Sequence, residues 1–398
     1  MEEIMKDVKK FRQAEKLKKW RDEVQPLPWY FDGLENLCDR IHPGKQTLQV
    51  TDIKDLSYDT KLFRLISAKP KKPLAPFRAG QYIGLTVEID GVRTSRPYSI
   101  LSSPNQNAYY ELGVRKKNGG FVSPYLLDNV KVGDILEATE PMGHLYYNPV
   151  FHGKKLVYIA GGCGITPFIS MLREISESLL PLNIWLIYGC VSEKDILFRE
   201  ELEDIQARRS NIKLKYVLSE PEPEWKGECG FITKDKILDD IGTIDKKYFY
   251  IVGNLPMYQF IQNELKALGV PRHRIIFELY GVPDDITLVM GWPKEIETSK
   301  KVNITVDYMR QGRKEQKVFE ASCIEPLLNS IERTKEFVSL IDSGCRSGAC
   351  SLCRTKMISG KVFVPPEITI REIDAEYGYI HSCISYPITD LHLDLTQI

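Results

Sequence analysis

Four cysteines carry the most specific chemistry in the chain. Cys345, Cys350 and Cys353 follow the spacing C-x4-C-x2-C, and Cys383 lies further on. Four thiolates at this spacing can hold a [2Fe–2S] cluster. The residues among them are small: Ser343, Gly344, Ser347, Gly348 and Ala349. Small residues let backbone N–H groups approach the sulfurs, which bulky side chains would block. Four Cys also suit zinc, but this loop lacks the paired C-x2-C knuckles of a structural zinc site. An iron–sulfur centre passes single electrons, so the remaining residues must be searched for their source.

Two short motifs in the first half point to a bound aromatic nucleotide. Arg96-Pro97-Tyr98-Ser99 offers a fork for phosphate, a flat apolar face for a planar ring, and a hydroxyl that can donate to a ring nitrogen. Gly119-Gly120-Phe121-Val122-Ser123 follows about twenty residues later, with glycines for close phosphate approach and a hydroxyl opening a short helix over 124–128. Two further turns each lie between a predicted strand and a predicted helix. Ala160-Gly161-Gly162-Cys163-Gly164-Ile165-Thr166-Pro167 can bring backbone and a helix N-terminus to a pyrophosphate, although it is not the G-x-G-x-x-G fingerprint. Val252-Gly253-Asn254-Leu255-Pro256-Met257 repeats the strand–turn–helix form.

The elements that must position these motifs fall into blocks. Residues 6–23 read as a charged helix with a weak apolar face, either a docking element or a solvated helix packed on the body behind it. From 46 to 150, short alternating segments (47–50, 60–66, 82–88, 108–115, 134–138) separated by Gly and Pro predict an antiparallel β-barrel. From 151 to 282, strands at 156–160, 184–188, 213–218, 248–252 and 274–278 alternate with helices at 167–177, 195–208 and 257–268, the pattern of a doubly wound parallel sheet. Ligands of such a sheet bind at the carboxyl ends of its strands, where both glycine turns lie. Residues 283–299 read as a linker. Residues 300–398, with strands at 302–308, 316–320, 361–364 and 391–395 and a helix near 326–332, suit a small mixed sheet with one packed helix.

Composition narrows the class. The chain has 398 residues, 43% hydrophobic and 27% charged, which suits a multidomain globular protein. Lys+Arg and Asp+Glu balance at 54 each, so no basic field calls for nucleic acid. The longest apolar runs are too short for a membrane span. The charged N-terminus and the nine cysteines, five of them without framework spacing, favour a reducing cytoplasm.

On these motifs, residues 46–280 resemble the ferredoxin–NADP reductase-like flavin/nicotinamide oxidoreductases. Residues 300–398 resemble a plant-type ferredoxin of β-grasp fold. The whole looks like a reductase component of multicomponent oxygenases, hydroxylases and demethylases. The resemblance implies that Arg96 meets flavin phosphate, Tyr98 covers the ring and Ser99 lies near N5. It assigns Pro97, Gly120, Phe121, Val122 and Ser123 to the flavin site. It assigns Gly161, Gly162, Gly164, Thr166, Pro167, Gly253, Pro256, Met257 and Glu278 to the nucleotide edge, with Thr166 near the hydride-transfer face. Cys345, Cys350, Cys353 and Cys383 become cluster ligands. Four positions depart from the family pattern. Val252 replaces a Cys, Leu145 replaces the Phe of P-x-G-x-F, Leu279 stands where an aromatic often follows Glu278, with Tyr280 one place later, and Ser351 replaces a common Gly.

The resemblance implies a two-to-one electron transformer with catalytic positions at Ser99 and Thr166. Hydride passes from NADH to FAD, and single electrons pass through [2Fe–2S] to a protein acceptor docking near the ferredoxin domain. FAD is expected over FMN from the 119–123 motif. NADH is expected over NADPH because Glu193, Glu220 and Glu222 would repel a 2′-phosphate. Reverse flow and a non-catalytic sensing subunit are the rival readings. His144 reads as a proton relay or a barrel-loop residue, Cys163 as a redox thiol or a small turn residue, and His381 as a hydrogen-bond donor to the cluster or an alternative ligand to it.

Overall fold

The computed structural model describes residues 37–69, 72–337, 340–368 and 370–396. The charged helix expected over 6–23 lies outside them. Residues 37–41 form a helical turn, and the segment up to Gly44 is a unit separate from Lys45–Ile398.

The first sheet of the large unit has six antiparallel strands: β1 (Lys45–Ser57), β2 (Thr60–Ser67), β3 (Tyr82–Ile89), β4 (Val92–Ser99), β5 (Tyr110–Arg115) and β6 (Ile135–Thr139). Their order is β4-β3-β6-β1-β2-β5, and a bridge from Ile100 to Leu112 joins the two edges into a barrel. Period-2 alternation explains the interior: Leu48 and Val50 of β1 and Phe63 and Leu65 of β2 point into one core with Ile83, Leu85 and Leu112. The sequence reading left β4 unassigned as a strand. Its polar run Arg93-Thr94-Ser95-Arg96 hides the alternation, because this strand faces a second domain rather than water.

The second sheet is parallel, in the order β10-β9-β8-β7-β11-β12. It comprises β7 (Lys155–Gly161), β8 (Asn183–Cys190), β9 (Ile212–Leu218), β10 (Glu228–Cys229), β11 (Lys247–Gly253) and β12 (Ile275–Leu279). Strand β7 is buried on both faces, so it reads as a continuous apolar run. Leu156, Tyr158 and Ala160 meet the helix Thr166–Glu177 on one side. Val157 and Ile159 meet the helices Lys234–Ile241 and Leu255–Ala267 on the other. Strand order reverses about β7, so the crevice between the ends of β7 and β11 is the expected ligand position. The helix expected to start at 195 instead starts at Arg199, because Phe198 adopts a left-handed conformation (φ 58°) that breaks it.

The third sheet has the order β14-β13-β19-β15-β17, formed by β13 (Lys301–Arg310), β14 (Arg313–Ser322), β15 (Arg354–Ser359), β17 (Tyr379–His381) and β19 (Leu391–Asp394). Strands β16 (Val362–Phe363) and β18 (Tyr386–Pro387) make a separate pair. The helix Leu327–Arg333 buries Leu327 and Ile331 on this sheet, giving the β-grasp arrangement. Among the described residues no helix is long and apolar enough to cross a membrane.

Candidate redox site

Strand β4 carries the flavin motif. Its antiparallel pairing sets Tyr98 opposite Ile83 and Ser99 opposite Tyr82. Arg96 is half-buried and donates through Nη1 to Thr94 Oγ1 (2.8 Å) and to the Ser95 carbonyl (2.7 Å). Burial, and then the neighbouring Arg346, pull its guanidinium down to about 10, with Glu332 the opposing carboxylate. Two clustered cations with one counter-charge fit an anionic phosphate. The turn at 117–123 fits the same group. A Cβ on Gly120 would stand 2.9 Å from the Lys117 carbonyl, while Ser123 Oγ accepts the Lys117 N–H at 2.9 Å. The helix Val122–Asn129 begins there, and Phe121 at its N-cap gives no side-chain cap, leaving helix N–H groups for a ligand.

The nucleotide turns close tightly at the strand reversal. A Cβ on Gly164 would lie 2.2 Å from the Val252 carbonyl. Cβ atoms on Gly161 and Gly253 would lie 2.0 and 2.7 Å from Met257 Sδ. These glycines are needed so that the ends of β7 and β11 and the Met257 thioether can share one crevice. Gly162 has φ +50°, and a Cβ there would stand 3.6 Å from Arg115 Nη1. Pro256 lies in the first turn of the helix Leu255–Ala267, and Pro167 in that of Thr166–Glu177. Asn254 caps the former, its Oδ1 accepting the Met257 N–H at 3.1 Å. It was not among the expected site residues, although an Asn just before a strand-to-helix turn is the ordinary N-cap signal. Cys163 is half-buried, and burial raises its thiol despite the nearby Arg115. His144 is exposed on a barrel loop.

The barrel and the parallel sheet meet at Tyr280. Its hydroxyl lies 2.8 Å from Ser99 Oγ and 3.1 Å from Thr166 Oγ1, and Thr166 also donates to the Cys163 carbonyl at 3.0 Å. The aromatic missing at Leu279 is thus supplied one residue later, just beyond the end of β12. The E-x-Y spacing was visible in the sequence, but the side chain's reach was not. Glu278, within β12, keeps Oε1 sealed from solvent without a partner among the described residues. Burial, and then negative charge at Cys345, raise its carboxyl to about 8. Tyr82 stands among Glu278 and the cluster cysteines, and burial followed by those charges drives its phenol far up.

The cysteine loop is built for sulfur. Cys345 Sγ accepts N–H groups from Ser347 (3.4 Å), Ala349 (3.2 Å) and Cys350 (3.3 Å), and Cys350 Sγ accepts the Cys345 N–H at 3.5 Å. The thiols of Cys350 and Cys383, together with these N–H groups, hold Cys345 far below the usual thiol range. Among the described residues no three His, Cys, Asp or Glu side chains converge on a single-ion position. A binuclear cluster, which takes two thiolates per iron, suits the four cysteines better than one tetrahedral ion.

Two non-glycine residues of the loop are left-handed: Arg346 (φ 53°) and Ser351 (φ 58°). Both are held by side-chain bonds. Ser351 Oγ donates to Asp374 Oδ2 at 3.0 Å. Buried His381 meets the same oxygen through Nε2 (2.9 Å) and the Gly348 carbonyl through Nδ1 (2.7 Å), so it ties both halves of the loop together. Arg346 pairs with Glu332 and crosses to the barrel, donating to Thr94 Oγ1 at 2.8 Å. Ser95 Oγ bonds the Ser343 carbonyl at 2.9 Å, and a Cβ on Gly344 would meet Met142 at 2.5 Å. Thr94, Ser95 and Met142 escaped the sequence reading because nothing local marks a residue as an interdomain contact.

Comparison with known proteins agrees with this geometry. The oxidoreductase FAD-binding domain model matches residues 47–147, the oxidoreductase NAD-binding domain model 158–263, and the 2Fe-2S iron-sulfur cluster binding domain model 315–387. The chain is 30% identical over 262 residues to NADH-cytochrome b5 reductase 1 of Aspergillus terreus, covering 63% of this chain and 87% of that protein. It is 25% identical over 357 residues to the glycine betaine monooxygenase reductase subunit of Pseudomonas aeruginosa, covering 88% of this chain and 95% of that one. Its fold matches phthalate dioxygenase reductase with a TM-score of 0.64 at 22% identity, over 88% of this chain and 98% of that one. FAD, a [2Fe–2S] cluster and NADH as co-substrate are the cofactor set of this architecture, and the chain is an NAD(P)H-dependent flavoprotein oxidoreductase. The chain therefore belongs to the ferredoxin–NADP reductase-like flavin/nicotinamide oxidoreductases, with a plant-type 2Fe–2S domain following the nicotinamide domain.

Proposed function

We propose that this chain supplies single electrons to a separate oxygenase-class protein that docks on its 2Fe–2S domain. Similarity to an oxygenase reductase subunit over 88% of the chain supports this reading. When bound, the flavin takes a hydride and the cluster takes one electron at a time. The protein positions and excludes.

Arg96 and the turn Gly120–Ser123 hold flavin phosphate, while Pro97 and Tyr98 give the ring an apolar wall. Ser99 orients the ring edge, and Thr166 orients the nicotinamide opposite it. Gly161, Gly162, Gly164, Pro167, Gly253, Pro256 and Met257 form the nucleotide crevice. Cys345, Cys350, Cys353 and Cys383 hold the cluster. The domains are the barrel 46–150, the nicotinamide domain 151–282, the linker 283–299 and the 2Fe–2S domain 300–398. None of the nine cysteines is in a disulfide, in keeping with a reducing cytoplasm.

One observation carries the reading. A single strand end presents Tyr280 to both Ser99 and Thr166, and Glu278 beside Gly143, whose neighbour Met142 packs on Gly344 of the cysteine loop. The hydride position and the cluster therefore share a wall, which suits transfer from one to the other within the chain. Anaerobic mixing with NADH tests it: flavin absorbance should bleach first and cluster absorbance second. Cluster bands that persist after full flavin reduction would refute the route.

A further inference from the structure

The cluster loop has one face held by the barrel and one face open. On the held face, Arg346 reaches Thr94 and Ser343 bonds Ser95. On the open face, Cys350 is the only one of the four cluster cysteines not fully buried. It lines a groove with Leu352, Arg354, Lys356, Arg371 and Tyr379, in which Asp394 is the single carboxylate.

Two of the three cations of this groove are held in place, and all three are poorly neutralised. Arg354 lies 5.7 Å and Lys356 5.3 Å from the centre of the same Tyr379 ring. Each is thereby held by a cation–π contact rather than by a carboxylate. The Arg354 contact to Asp374 is long, at 4.0 Å, and Asp374 is already engaged by Ser351 and His381. Lys356 donates to the Tyr377 carbonyl, and among the described residues neither Lys356 nor Arg371 makes a salt bridge. The chain as a whole is neutral, with 54 charges of each sign, so this local excess is a matter of placement. Exposed apolar groups adjoin it: Leu352 at 40%, Ile373 at 50% and Tyr377 at 63%. Cations around an exposed apolar tip beside a redox ligand suit an acidic protein surface. The charges would steer the encounter, and Leu352 would exclude water at the contact.

We propose that the groove at Cys350–Leu352 is the docking surface for the electron acceptor, and that the acceptor presents Asp and Glu side chains to Arg354, Lys356 and Arg371. This rests on the reading that the chain hands electrons to another protein. Each NADH yields two electrons and one proton, so it reduces two ferric haems of a one-electron acceptor.

The test uses the full-length holoprotein with two probe acceptors, the acidic haem protein cytochrome b5 and the basic cytochrome c. The comparison is with the triple variant Arg354→Glu, Lys356→Glu, Arg371→Glu. NADH-dependent reduction of cytochrome b5 should fall about tenfold or more in the variant, while cytochrome c reduction should hold or rise. In the unaltered protein, raising salt from about 10 to about 200 mM should suppress cytochrome b5 reduction and leave ferricyanide reduction unchanged. The single variant Lys356→Gln, half-buried on β15 and outside the cluster loop, should show a smaller fall in the same direction. Ferricyanide rates and cluster absorbance matching the unaltered protein show that the variants are folded and loaded. Equal cytochrome b5 rates and equal salt dependence in variant and unaltered protein would overturn the proposal, as would no cytochrome b5 reduction by the unaltered protein. If NADH fails to reduce the cluster at all, the underlying electron-transfer reading fails instead, which spectra without any acceptor distinguish.

Discussion

Arg346 in the cysteine loop donates to Thr94 on the strand that carries Arg96, Tyr98 and Ser99, at 2.8 Å. One guanidinium thus touches the cluster loop, Glu332 behind it and the flavin strand in front. The fork geometry matters, because Nη2 reaches Thr94 and Glu332 while Nη1 reaches Asn329 at 3.2 Å. Arg346→Lys cannot serve all three partners, and a broken buried pair costs about 3–5 kcal/mol. We expect flavin reduction by NADH to stay within about twofold, while flavin-to-cluster transfer slows about tenfold or more through misplacement. Stopped-flow absorbance separates the two steps. Equal slowing of both would show that Arg346 only supports global folding.

Tyr280 occupies the space between Ser99 and Thr166, where the proposed site would bring the nicotinamide ring beside the flavin. Entry of the ring breaks its two hydrogen bonds, each worth about 0.5–1.5 kcal/mol net. Tyr280→Phe should therefore tighten apparent nicotinamide-nucleotide binding by about fivefold to about a hundredfold. Titration with NAD+ under anaerobic conditions reads this directly. Unchanged or weaker binding would mean that the hydroxyl assists the nucleotide instead of yielding to it.

Ser351 pays for its left-handed backbone with the bond to Asp374. Ser351→Ala keeps the strain and loses the bond, a cost of about 1.5–3 kcal/mol. Ser351→Gly loses the same bond but escapes about 1 kcal/mol of strain. The order of stability should be Ser, then Gly, then Ala, in denaturant titrations followed by cluster absorbance. Gly more stable than Ser would show that the hydroxyl's bond is worth less than the backbone strain.

His152 sits between the barrel and the parallel sheet. Its Nδ1 accepts the Asn148 N–H at 3.1 Å and lies 2.5 Å from the Tyr250 hydroxyl, so that nitrogen carries no proton. Burial lowers the imidazole below its ordinary 6.5. A histidine of this kind binds its proton more readily when unfolded. Its contribution to stability is complete above about pH 6.5 and is lost as pH falls from there toward the folded value. His152→Gln should flatten that acid slope in thermal unfolding between about pH 5 and 7. A variant with the same slope as the unaltered protein would assign it to other groups.

The parts of this molecule legible from sequence were those with local chemistry. The cysteine spacing, the glycine turns and the strand–helix alternation each reflect a short-range requirement. The helix Lys234–Ile241 was missed because only Ile237 and Ile241 are buried, too few to show a period. Strand β15 was missed because Arg354 and Lys356 face outward over Tyr379, so its alternation is short and charged. Tyr280, Thr94 and Ser95 act across distances of 114 to 252 residues in the chain, and no local pattern records such a pairing.

The segment that reads as a linker holds Trp292, which is 7% exposed and packs edge-on against Phe363 (5.2 Å) and Tyr386 (6.3 Å). With the barrel contacts at Thr94 and Ser95, this makes the step from flavin to cluster a fixed junction instead of an encounter. Its rate is first-order. Dilution, viscosity and crowding, which slow collisions between separate proteins, leave it unchanged, and only the final hand-over depends on how much acceptor is present.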